Sequence, residues 1–543
     1  MSQADAFEAP GSADDELPPR MSAMSLARAG IVVSSAYLVA RVLGYVRVVV
    51  IGTTFGAGPD LDAFFAAFRI PDLIFQLVAA GAVASAVVPI VGGLLATGES
   101  ARAWRVVSTL TNLMLAGLLL LALLAFIWAR ELVQAITPGF TAATLDRTVE
   151  LTRIMLASPI LLALGATATS ALNADRRFAA SAVAPIVYNL AIIGAAVLLS
   201  DSMGVTGLAL GVVVGSLGLL VVQLPPLWRT GFRLTPKIDL SDDQARKLLV
   251  LMGPRVLGLS ASQITMVVMT SLATGVGLGA VSAFTIAFAL YQIPMGVIGI
   301  PLGIVIFPSL SRELAVGRTD NYLELVARSL RILLFVMLPI AAIGIALRLQ
   351  VVELLLGYGR FDATAVQLTA DTLLPFLLGL AGHATIGVLA RAFYAKQDTR
   401  TPVATAILAV VINTLLGIVL VGQFGLPALG LAIAIAAWVE ASALLVMLRR
   451  REPALDLAGI LSVGARSLVA AVVAAAVAVV TLQVVGGVAP ADPGKVVVFL
   501  EAALATVLAG LSYAGVALLL RIPELRSLLA ILFDLTRRRT RTG

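Results

Sequence analysis

The chain has 543 residues, 60% of them hydrophobic and 13% charged, with a mean hydropathy of +1.02; most of it belongs in lipid, which excludes a soluble globular enzyme. Without cysteine, and with His383 as the one histidine, it has no disulfide, no thiolate metal site and no thiol nucleophile, and a zinc or histidine-base mechanism is disfavoured. The net charge of +7 is spread through short connections between apolar runs instead of gathering in an aromatic-flanked stripe, so it reads as membrane topology and not as nucleic-acid binding.

In chain order, residues 1–28 are expected to form a disordered cytoplasmic tail, acidic at its start and lacking the order of a secretory signal. Crossing ~30 Å of hydrocarbon takes about 20 helical residues, and about fourteen apolar runs reach that length. The first six, near 30–53, 63–95, 106–129, 148–172, 178–200 and 204–228, predict an N-terminal lobe over 29–228. Residues 229–247 predict a cytoplasmic linker. Six more runs, near 248–274, 279–308, 324–347, 367–391, 402–422 and 426–448, predict a C-terminal lobe over 248–449. Two further runs, 464–486 and 496–520, fall within a unit at 450–520, and 521–543 is a basic cytoplasmic tail. The fold class is therefore an all-α polytopic membrane protein of about 14 transmembrane helices, two six-helix lobes around a central cavity with two C-terminal helices added.

Two patterns support the lobes. Arg41-Val-Leu-Gly44 opens one and Arg255-Val-Leu-Gly258 the other, each followed by an Ile-Pro pair, Ile70-Pro71 and Ile293-Pro294. An even number of spans separates the copies, which relates the lobes by an axis along the membrane normal. Most of the 38 basic residues fall on one side, which places both termini in the cytoplasm.

Charges inside the spans carry the chemistry. Arg41 and Arg47 lie in the first and Arg69 in the second, where an arginine costs roughly 2.5–3.5 kcal/mol unless it meets protein, water or an anion. Asp62, Arg69, Asp72 and Gln76 recur at spacings that make one face of span two polar. The arginines either bind a phosphate-bearing headgroup, which suits the planar donor fork of guanidinium, or are neutralised internally by Asp62 and Asp72. Arg255 is a weaker candidate because it can snorkel toward the cytoplasm. Gly44, Pro71 and Pro294 are hinge candidates, with ordinary kinks as the alternative. Asp371 and Glu440 either bind a coupling cation or, the favoured reading, pair with a nearby arginine or backbone donor, and His383 reads as structural. No nucleophile with its base and no metal-ligand cluster is present, so the expected class is a transporter without catalytic residues, metal or cofactor.

The segments Arg41-Val-Leu-Gly-Tyr-Val-Arg47, Phe55-Gly-Ala-Gly58, Asp62-Ala-Phe-Phe65 and Phe68-Arg-Ile-Pro71 resemble the opening signature of the MurJ/MviN family, which flips lipid II. Leu389-Ala-Arg-Ala-Phe-Tyr-Ala-Lys-Gln-Asp-Thr-Arg-Thr-Pro402 is similar to that family's connection between spans ten and eleven, and Tyr358-Gly-Arg-Phe361 and Phe307-Pro-Ser-Leu-Ser311 also fit. The resemblance implies the fold of the multidrug/oligosaccharidyl-lipid/polysaccharide exporter superfamily, alternating access, a groove for the lipid tail at the last two helices, and residence in the bacterial cytoplasmic membrane. It implies an undecaprenyl-pyrophosphate-linked sugar lipid as partner, with membrane lipids and cell-wall synthesis proteins around it, and places Arg41, Arg47, Asp62 and Arg69 at the central cavity. The sequence departs from that pattern at Val48, Phe75, Ala80, Phe288-Ala289 and Gln292, which leaves the C-terminal lobe without the usual cavity arginine. Another polyprenyl-linked glycan as cargo, or a transport-inactive scaffold for cell-wall synthesis, are the alternatives.

Overall fold

A computed structural model describes residues 23–78, 82–486 and 494–525, the side chains of 23–34, 82–86 and 248–262 excepted. The first half runs α1 (Ala23–Phe55), α2 (Pro59–Ala67), α3 (Arg69–Val78), α4 (Ala82–Ala96), α5 (Ser100–Ile127), α6 (Ala129–Ile136), α7 (Ala142–Met155), α8 (Ala157–Ala174), α9 (Phe178–Leu198), α10 (Ser200–Met203), α11 (Val205–Val221) and α12 (Leu224–Trp228). The second runs α13 (Asp243–Thr274), α14 (Ala280–Pro294), a π turn at Met295–Gly299, α15 (Ile300–Ala315), α16 (Thr319–Ala346), α17 (Arg348–Leu356), α18 (Ala363–Leu378), α19 (Leu380–Ala395), α20 (Arg400–Phe424) and α21 (Pro427–Arg451). Last come α22 (Leu457–Gly486) and α23 (Lys495–Leu519).

Long apolar runs fold this way because hydrocarbon offers the backbone no partner, so each N–H and C=O must bond within its own helix. Eleven helices among the described residues are long and apolar enough to cross a membrane, or twelve if the bent pair α18–α19 is one span. Of the fourteen expected spans, the seventh is the continuous helix α13, whose side chains at 248–262 lie outside the described residues. The second is broken at Phe68, between α2 and α3, and continues in α4 beyond residues 79–81, which lie outside the described residues.

Small residues let the last two helices dock: Ala470, Ala474 and Ala478 share one buried cluster with Ala505 and Ala509, and the Tyr513 hydroxyl donates to the Phe335 carbonyl of α16 at 2.6 Å. The two lobes meet firmly at the end of the bundle where α1 finishes. There Leu61, Ala63 and Phe64 of α2 pack in one core with Val281 and Phe284 of α14 and Phe376 of α18. The Arg360 amide donates to the Thr53 carbonyl at 2.9 Å, and the Gly139 amide to the Thr274 hydroxyl at 3.1 Å. Gly279, in the left-handed region at φ 77°, lies so close to Ala57 that an added Cβ would stand 2.7 Å from its carbonyl oxygen. Toward the other end α1 packs against α14 but has no comparable contact with α15, and Leu38, Val42, Ile304 and Val305 are all exposed.

The segment expected as a linker is strapped to α5. Ser108 donates to the Arg233 carbonyl at 3.2 Å, Asn112 to the carbonyls of Thr235 at 2.6 Å and Lys237 at 3.1 Å, and the Asp239 amide donates to Thr109 at 3.2 Å. Arg102 clamps the far end through Asp242 at 2.8 Å and also pairs with Asp243. The Arg102 hydrogen bond holds the Asp242 carboxyl below the ordinary carboxylate range. A depressed folded value means this contribution is complete at neutral pH and is lost as pH falls through it, below about 3.9. Arg102→Ala is expected to speed tryptic cleavage after Lys237 severalfold at pH 7, and an unchanged cleavage rate would show the strap does not depend on that clamp.

Candidate functional site

α1, α3, α9 and α14 enclose a cavity of about 470 Å³ lined by Arg41, Arg47, Arg69, Asp72, Tyr188 and Gln292, with Phe288 and Ala289 on the same wall as Gln292. The arginines project from α1 and α3; Arg41 and Arg47 lie about 120° apart around α1, and both still reach this cavity. The guanidinium of Arg47 lies over the Tyr188 ring, 5.6 Å from its centroid, and bonds to its hydroxyl. Arg69 crosses to the second lobe, its Nε donating to Thr270 Oγ1 at 2.9 Å and its Nη2 to Thr285 Oγ1 at 3.2 Å. Arg41 is exposed, and its guanidinium lies flat against Gly296 in the π turn, where even a methyl group would collide with it.

Among the described residues no carboxylate lies within ion-pair distance of Arg41, Arg47 or Arg69. Asp72 lies near Arg69 electrostatically, but its hydrogen bonds run to Gln76 and Gln263. Hydroxyls and an aromatic face orient a guanidinium without cancelling its charge. The cavity is thus a chamber of net positive charge, three guanidiniums borne by first-lobe helices against Asp72, and it is suited to a multivalent anion.

Asp62 does not join this set. Its carboxylate is buried two helical turns away and accepts three hydrogen bonds from the second lobe, from the Gly279 amide at 2.7 Å, the Ser282 amide at 2.7 Å and the Ser282 hydroxyl at 2.5 Å. The expectation that it orients the arginines gives way to this cap on the N-terminus of α14, whose free amides compete for a carboxylate better than a distant cation does. The Arg255 side chain lies outside the described residues, as do residues 1–22 and 526–543, with most of the two expected tails.

Of the hinge candidates, Gly44 lies within a continuous α1, Pro71 in the first turn after the break between α2 and α3, and Pro294 at the junction of α14 with the π turn. Asp371 pairs with Arg348 at 3.7 Å, whereas Glu440 has no ion pair or hydrogen bond among the described residues. His383 packs edge-on against Tyr291, 5.6 Å between centroids. Sequence reasoning missed Thr270, Thr285, Tyr188 and Gly296. Hydroxyls and small residues are common in membrane helices, so nothing in their spacing distinguishes these four.

The chain matches the family model described as lipid II flippase MurJ over residues 51–489. It is 32% identical over 436 residues to lipid II flippase MurJ of Burkholderia cenocepacia, covering 79% of this chain and 84% of that one. It is also 32% identical over 437 residues to a probable lipid II flippase MurJ of Rhizobium tropici, covering 79% and 82%. Its fold is similar to that of a lipid II flippase MurJ solved in an inward closed conformation, with TM-score 0.74 and 22% identity over 92% of this chain and all of that one. An inward-facing multidrug resistance MATE family transporter of the MOP superfamily shares the fold with TM-score 0.64 and 17% identity, over 78% of this chain and 98% of the transporter.

Proposed function

The chain belongs to the lipid II flippase MurJ family, and we propose that it carries lipid II, an undecaprenyl-pyrophosphate-linked peptidoglycan precursor, from the inner to the outer leaflet of the bacterial cytoplasmic membrane. On this reading both termini are cytoplasmic, the closed end of the bundle faces outward, and the units divide at residues 29–228, 229–247, 248–449 and 450–520. The observation that carries the reading is one chamber lined by three guanidiniums, with Asp72 the one carboxylate among its described lining residues and outside ion-pair distance of all three.

Arg41, Arg47 and Arg69 hold the diphosphate through forked, charge-assisted donors. The wall of Phe288, Ala289 and Gln292 carries no charge, so the anion is held by groups on first-lobe helices and stays with them when the lobes part. Anion binding must favour one conformation over the other, because a ligand held equally by both shifts neither. Once the diphosphate has gone, the cationic chamber feels the membrane potential, ~2.3 kcal/mol per charge per 100 mV, which resets it.

The test is complementation in a bacterium depleted of its own flippase. The parent chain is expected to restore growth, and Arg41→Ala and Arg47→Ala, at matched membrane abundance, to fail. Full rescue by both variants would remove the diphosphate clamp.

A further inference from the structure

The C-terminal lobe places a cation elsewhere than on the chamber wall. Arg391, in α19, leans onto α15 and lies against Gly303, where an added methyl group would collide with its guanidinium. Its Nη1 donates to the Gly387 carbonyl at 2.7 Å, and among the described residues it has no carboxylate within ion-pair distance. One donor of five is thus engaged by protein, and the remainder of the fork has no anion.

Its position along the route gives this meaning. α14, the π turn and α15 form a single rod whose upper part is the chamber wall and whose Gly296 cradles Arg41. Gly303 lies seven residues further from the closed end, ~10 Å at helical rise. Two guanidiniums, one from each lobe, are therefore laid on glycines of the same rod at successive depths, and Ile304 and Val305 beside the lower one are exposed. A diphosphate is shorter than that separation, so it meets the two in succession.

We propose that Arg391 is a cytoplasm-side landing site for the diphosphate of a polyprenyl-linked sugar, occupied before the group rises to Arg41, Arg47 and Arg69. The inference rests on the reading of the chamber given above. A charge at the mouth of a route acts mainly on the rate of arrival, whereas charges inside a closed chamber act on departure.

The full chain in lipid nanodiscs, with undecaprenyl diphosphate as probe, separates the two. Arg391→Ala is expected to slow association about tenfold with dissociation little changed. Arg41→Ala is expected to speed dissociation. Gly303→Ala leaves every charge in place but displaces the guanidinium, and should reproduce the slow association; matched thermal unfolding of the variants excludes a folding defect. Normal association in Arg391→Ala and Gly303→Ala, with Arg41→Ala impaired, overturns the landing site and leaves the chamber reading intact. Faster dissociation in Arg391→Ala with unchanged association also overturns it, by placing Arg391 in the clamp. Normal kinetics in all three variants removes both readings.

Discussion

An Asp62→Asn protein is expected to open at its outer end far more often than the parent chain. In the closed arrangement one carboxylate accepts from two amides and a hydroxyl at the start of α14, so it caps from the first lobe a helix that has no side-chain cap of its own. An asparagine must turn its amide donor toward at least one of those donors. Losing one hydrogen bond to a charged acceptor costs about 1.5–3 kcal/mol, which moves the balance between closed and open states about 10- to 150-fold. The chain has no cysteine, so Ala289→Cys supplies a single reporter on the chamber wall. A membrane-impermeant maleimide added from outside should label it slowly in the parent background and much faster with Asp62→Asn. Equal labelling rates would show that the Asp62 cap does not hold the end shut.

Arg69→Ala is expected to lower flipping in proteoliposomes about 100-fold, the loss expected from ~2–3 kcal/mol of interaction made in one conformation and not the other. Arg69 differs from Arg41 and Arg47 in that its guanidinium hydrogen-bonds across the lobe boundary to two hydroxyls, Thr270 and Thr285, on different helices. Removing it withdraws a phosphate donor, deletes an interlobe bridge and leaves Asp72 without its neighbouring cation. Arg69→Lys should recover only part of the rate, since one ammonium does not reproduce a fork that spans both threonines. The measurement is the appearance of labelled lipid II on the far face of the vesicle. A near-parental rate for Arg69→Ala would assign the arginine to packing.

The helical spans, the two lobes and the anionic character of the cargo were legible in the chain itself. Lipid demands long apolar runs, and an arginine within one needs a stated reason for being there, so each is a local property that period and residue type expose. Arg41, Arg47 and Arg69 were found in this way, and the structure brings all three to one cavity. Asp62 was found by the same rule, and its position on the polar face of span two holds, since it and Arg69 both reach the second lobe.

What Asp62 meets there was decided by tertiary structure alone. Its donors lie 217 and 220 residues further along the chain, and helical phase says which way a side chain points without saying what stands opposite. The strap of 229–242 on α5, the threonine partners of Arg69 and the glycine beds of Arg41 and Arg391 are of the same kind: ordinary residues that acquire a role when distant helices come within hydrogen-bond or contact distance. Composition and spacing thus determined that this chain holds charge within a membrane, and the packing of one lobe on the other determined which of those charges remain free for a ligand.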